Sequence, residues 1–130
     1  MKEDERNYLI QYRFHQAKES VELAGFLIAS ERFSVAVNRV YYGLYYSVTA
    51  LAIKHQFNTS KHNQLIGWFN REFILTGVID KKFGRILRLA YQNRTKSDYD
   101  AFITFDEEEV RLMHTEMIEF INEIEKQLKD

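Results

Sequence analysis

Arg94-Thr95-Lys96-Ser97-Asp98-Tyr99 sets a guanidinium, an ammonium, a carboxylate and a phenol within six residues. An arginine here can grip a phosphate through its rigid fork of donors. It can also stabilise the extra charge of a phosphorane-like transition state. Asp98, four residues beyond Arg94, can close a local ion pair that orients the guanidinium, or can accept a proton as a base. A phenol, whose reference pKa is ~10, makes a poor base, so Tyr99 is expected to stack on a base or to pack in the core. A second group lies upstream. Arg39 shares a helix face with Tyr42 and Tyr46, so it can line the same cleft as Arg94 or pair with a glutamate on a neighbouring helix. The second option is slightly preferred. Lys81, Arg85 and Arg88 recur at i, i+4 and i+7 and make a basic stripe leading toward Arg94 and Lys96. That stripe suits a solvated face, an RNA backbone, or the acidic last helix of another subunit, where Glu116, Glu119 and Glu123 supply opposite charge.

These groups must be held by helices. There is no proline, and there are only five glycines among 130 residues. Apolar residues recur at helical spacing in five blocks. The first runs from about Glu5 to Ala29 with Ile10, Phe14, Ala17, Val21, Ala24 and Ile28 on one face. The second runs from Ser34, read as an N-cap, to about His55, with the stripe Val37, Tyr41, Leu44, Val48 and Leu51. Its other face carries Val35, Arg39, Tyr42, Tyr46 and Ile53, so this helix is expected at the centre or in an interface. The third spans about Lys61 to Leu75, ended by Thr76-Gly77, with His62 as a helix-start residue. Asp80 is the expected cap of the fourth, which ends near Arg94. Residues 95–105 read as a polar turn, with a capping box at Thr104-Phe105-Asp106-Glu107. The fifth runs from about Asp106 to Leu128 with Val110, Met113, Met117, Ile121, Ile124 and Leu128 inward. Close helix–helix approach is expected at Gly43. The fold expected is all-α, a single domain over residues 1–130, as an antiparallel up-and-down bundle of four to five helices.

Composition narrows the classes. The absence of cysteine rules out disulfides and thiolate metal sites, and fits a cytoplasmic setting. The four histidines lack metal-ligand spacing, so neither metal nor cofactor is expected. No apolar run nears the ~20 residues a membrane span needs, and the charged start does not resemble a signal peptide. The formal net charge of −1 hides an asymmetry. Residues 61–96 carry eight Lys/Arg and two Asp/Glu, whereas residues 98–130 carry three and eleven. A basic surface patch therefore coexists with overall neutrality.

The segment from Ala36 through Asn38-Arg39-Val40-Tyr41-Tyr42-Gly43-Leu44-Tyr45 resembles the A-x-x-R-x-Y-Y-A-x-(F/Y) signature of a HEPN subfamily (higher eukaryotes and prokaryotes nucleotide-binding). Lys61-His62, Phe69 and the R-x-x-x-D-Y element Arg94 to Tyr99 follow in the family's order. The resemblance covers about residues 10 to 125. It implies a homodimeric helical bundle, with a minimal nucleotidyltransferase as partner in a toxin–antitoxin-like module. It further implies that Tyr99 is a candidate acceptor for modification by that partner. Many members are metal-independent ribonucleases with an R-x-x-x-x-H motif, the pair from two protomers forming one cleft. Here the fifth position after Arg94 is Tyr99, not histidine. Three functions stay open. One is a non-nucleolytic partner of a nucleotidyltransferase, binding RNA or a nucleotide through Arg39, Tyr42, Tyr46, Arg88, Arg94, Lys96 and Tyr99. The second is an RNA endonuclease with Arg94 and Asp98 as catalytic residues. The third is a purely structural bundle.

Overall fold

The computed structural model describes residues 1–100 and 102–130. Among these, the chain forms α1 (Glu3–Ala29), α2 (Phe33–Lys54), α3 (His62–Phe69), a π-helical turn (Asn70–Ile74), α4 (Lys81–Tyr99) and α5 (Glu107–Lys129). No strand occurs among the described residues.

The apolar stripes set the packing. Along α2, Val37, Tyr41, Leu44, Val48 and Leu51 are all essentially inaccessible, so α2 is the central helix. The connection from α1 to α2 is three residues long, Ser30–Arg32, and folds the two helices into an antiparallel pair. On its opposite flank α2 meets α4 head to tail: Ser34 touches Ser97, and Tyr42 touches Arg94. Helix α5 runs parallel to α2. Val37 and Val110 share the cluster at their first turns, and Lys54 donates to the Gln127 carbonyl at their last. It runs antiparallel to α1, with Gly25 beside His114 and Lys18 beside Glu125. The order is therefore up, down, up, down, with α2 and α5 back to back between α1 and α4. The short α3 and the π turn close one end. Phe69 is fully buried there, and Phe73 packs on Trp68.

Gly43 makes the close approach expected of it. A Cβ there would run into Met117 Cε and stand 3.0 Å from Ser20 Cβ. Bare backbone at this position lets α1, α2 and α5 converge around one point. Asp80 caps α4 as expected, its carboxylate accepting from the Lys82 amide at 2.8 Å. Gly77 takes φ +79° beyond the π turn, as its left-handed role requires.

Four local expectations need correction. Helix α4 does not stop near Arg94 but continues to Tyr99, so residues 95–99 are helical; Ala101, within the expected 95–105 turn, lies outside the described residues. The extension holds because Arg94 and Asp98 pair at i, i+4, and because Ser97 meets Ser34 across the bundle at 2.6 Å. That same contact takes Ser34 away from capping: α2 begins one residue earlier, after Arg32, with no side-chain cap. At α5 the cap is Asp106 rather than Thr104. Its carboxylate accepts from the Glu109 amide at 2.8 Å. The third block is not one α-helix either. Its second half, Asn70–Ile74, widens to π-helical pairing, with the Leu75 amide reaching the Asn70 carbonyl at 2.8 Å.

Candidate functional site at the Arg94 cleft

Arg94 sits on the inner side of α4, where Leu87 and Ala90 continue the apolar stripe toward it. Its helix position turns it onto the aromatic flank of α2. The Cζ atom lies 5.6 Å from the Tyr41 ring centroid and 5.4 Å from that of Tyr42. One Nη donates to the Tyr42 hydroxyl at 3.0 Å. Nε is buried and lies 3.0 Å from Asp98 Oδ2, off the hydrogen-bond line. The side chain is 23% exposed and that of Asp98 is 38% exposed, so the pair is open to water on one side. Two aromatic faces, a phenol and a carboxylate fix the guanidinium in place. Its other Nη has no hydrogen-bond partner among the described residues, and the side chain is open to water on one side. A charged donor therefore remains for a ligand.

Arg39 joins this cluster from α2. Its Cζ is 5.3 Å from the Tyr42 centroid, and its fork reaches the Asn38 side-chain oxygen at 3.5 Å. The pair with a glutamate that the sequence slightly favoured is absent among the described residues. Stacking on Tyr42 takes its place. Tyr42 thus carries two guanidinium groups, and Tyr46 follows it with ring centroids 6.1 Å apart. Both tyrosines are half-buried and pack against the edge of the main core.

His62 also lies in this cleft. As the first residue of α3 it brings its ring back over α2, stacked on Tyr45 with centroids 4.2 Å apart and planes at 11°. Its Nδ1 lies 2.6 Å from the Tyr41 hydroxyl. Burial, then the charge of Arg94, holds the imidazole below its usual pKa and so favours its neutral form. Burial pushes the Tyr41 hydroxyl far above the ordinary phenol range, against the pull of Arg94, so it keeps its proton. Read as a helix-start residue, His62 does open α3, but no local pattern announces that its ring enters the cleft. The pairing of a lone histidine with a buried tyrosine, twenty-one positions apart, is a tertiary contact.

The remaining candidates stand elsewhere. Lys96 is exposed, and Tyr99 is 87% exposed on the last turn of α4. The stripe of Lys81, Arg85 and Arg88 does not lead to Arg94. Arg94 is nine residues beyond Arg85, about 180° round a helix of ~100° per residue, so the two face opposite ways. Instead the stripe borders a separate open groove of about 630 Å³ between α4 and the π turn, shared with Asn70, Ile74 and Leu75. Glu119 of α5 pairs with Lys82 within the same chain at 3.4 Å.

Known proteins are similar to this chain over most of its length. A "UPF0332 protein" of Thermotoga maritima is 35% identical over 127 residues, spanning 98% of this chain and 96% of its own. Two Methanocaldococcus jannaschii proteins named "Putative toxin", MJ0142 and MJ0605, are 36% and 31% identical. They cover 87% and 93% of this chain and 77% and 90% of their own. The family model described as HEPN domain matches residues 10–127, from the first third of α1 nearly to the end of α5. With that match over a four-helix bundle that turns the R-x-x-x-D-Y arginine onto the paired tyrosines, the chain belongs to the HEPN family.

Proposed function

We propose that this chain is a toxin-type HEPN protein that binds an RNA phosphate in the Arg94 cleft and acts beside a minimal nucleotidyltransferase. One observation carries the reading. Arg94 is held on two tyrosine rings with its side chain partly exposed, an arrangement that costs ordering energy and leaves one Nη without a partner among the described residues. Relatives that bear toxin names support the same class. Tyr99, 87% exposed one residue beyond Asp98, is accessible as the acceptor of a nucleotidyl group. Transfer would form a bond from its phenolic oxygen to the α-phosphorus of a nucleoside triphosphate and release pyrophosphate.

A second reading, metal-independent RNA cleavage by Arg94 with Asp98, is favoured by the exposed carboxylate lying 3.0 Å from the guanidinium. Incubation of the purified chain and Arg94→Ala with total RNA separates the two. Intact RNA that shifts on a gel, with the shift lost in the variant, supports binding. Cleavage lost in the variant supports the nuclease. RNA that neither shifts nor shortens contradicts both.

A further inference from the structure

We infer that His62 is a second anion-binding residue of the cleft, which presents a fixed Nε2–H donor to a phosphate oxygen and does not act as a proton acceptor. This rests on the phosphate-binding reading above and names the partner of Arg94 in it.

The tautomer follows from accounting for donors. Tyr41 is fully buried, and its hydroxyl has one partner among the described residues, His62 Nδ1 at 2.6 Å. A buried hydroxyl that keeps its proton must donate it, since leaving it unpaired costs ~1–3 kcal/mol in general. The lone pair of Nδ1 is therefore occupied, and the single ring proton of the neutral imidazole sits on Nε2. The groups facing the ring agree. From α2 come Tyr41, Tyr42 and Tyr45, and from α4 comes the permanent cation Arg94. Among these neighbours there is no carboxylate that would favour a second proton.

The ring is held as tightly as its proton. It lies flat on Tyr45 and has its edge toward Tyr42, with centroids 6.1 Å apart at 88°. Arg94 and His62 both border Tyr41 and Tyr42, with His62 5.6 Å from the Tyr41 centroid and the Arg94 Cζ also at 5.6 Å. Nε2 has no hydrogen-bond partner among the described residues, and His62 is only half-buried. By covalent geometry its N–H points away from Tyr41. The cleft thus offers one charged and one neutral donor to the same kind of ligand, the tetrahedral oxyanion of a phosphodiester. An imidazole whose free lone pair is already used cannot activate a 2′-hydroxyl, so the inference also sets His62 apart from a general base.

The test uses the full chain, fluorescein-labelled oligouridylate about ten nucleotides long, and ¹⁵N NMR of the imidazoles. His62→Phe keeps the flat ring but removes both nitrogens. His62→Gln can accept from Tyr41 through Oε1 and donate outward through Nε2. The expected result is an unprotonated Nδ1 and a protonated Nε2 at neutral pH. Binding should be weakened about tenfold in His62→Phe and kept within about threefold of wild type in His62→Gln. If His62→Phe fails to fold, the NMR and His62→Gln still decide. A proton on Nδ1, a tenfold loss in His62→Gln, or wild-type binding by folded His62→Phe while Arg94→Ala is impaired overturns the inference and leaves the phosphate reading standing. Wild-type binding by both His62→Phe and Arg94→Ala overturns the phosphate reading and the inference with it.

Discussion

Tyr42 is the residue on which the cleft turns, because it accepts from Arg94 and stacks beneath both Arg94 and Arg39. Tyr42→Phe keeps the stacking and removes the acceptor. It should weaken RNA binding a fewfold, in line with the ~0.5–1.5 kcal/mol of a net hydrogen bond, and fluorescence anisotropy with a short RNA checks this. Arg39→Ala and Arg94→Ala should impair the same ligand, and different ligand profiles would contradict a shared cleft. His62 also predicts a pH effect on stability. Its native pKa lies below the unfolded value, first through burial and then through Arg94. The unfolded chain therefore binds the proton more readily, and the contribution is full above the unfolded pKa of ~6.5 and lost as pH falls below it. Urea denaturation of wild type and His62→Phe should show a smaller loss between neutral and mildly acid pH in the variant; equal losses would contradict a depressed pKa. Arg94, Asp98 and the Tyr42 face were legible in the sequence, because spacing along one helix reports which residues are neighbours. His62 and Tyr45 were not, because stacking between α2 and α3 has no local signature.

At the scale of elements, helix periodicity was a good guide wherever one face is buried. The inward residues of α1, the main stripe of α2 and the core of α5 lie where their spacing puts them. It failed at helix ends. The extra turn of α4 is held by the Ser34–Ser97 contact, sixty-three residues apart in sequence, and polar residues 95–99 carry no apolar pattern to announce it. The turn matters because it carries Asp98 and Tyr99. Ser97→Pro would break it and should cost ~3 kcal/mol or more if the rest of the helix is retained, with loss of RNA binding, as urea denaturation and anisotropy would show. Gly43 is legible in another way, as the helical glycine that lies beside the tyrosine pairs of α2. Gly43→Ala gains at most about 1 kcal/mol of helix propensity, but it must displace Met117 Cε and crowd Ser20. The expected outcome is a net loss of about 1–2 kcal/mol in a denaturation experiment; a gain would mean that α1, α2 and α5 have room to spare.

Across the whole molecule, charge is divided between two sides of α4. Lys81, Arg85 and Arg88 face outward onto the open groove beside the π turn, while Arg94 faces the tyrosines of α2. The outward cations have no described carboxylate partner, apart from Lys82 with Glu119 near them, so they contribute a general attraction for polyanions. The inward arginine is the one whose geometry is fixed. No described helix is long and apolar enough to cross a membrane. The two sides should separate in a salt titration, since each phosphate contact on a single strand contributes about −0.7 to the slope of log affinity against log salt. Arg85→Ala should lower that slope with a modest change in affinity. The most direct test of the central claim is the affinity of a short single-stranded RNA for wild type and Arg94→Ala across a salt series. The account predicts weaker binding by Arg94→Ala at every salt concentration, tenfold or more, with a slope shallower by about one phosphate contact. Equal affinities and equal slopes would contradict it.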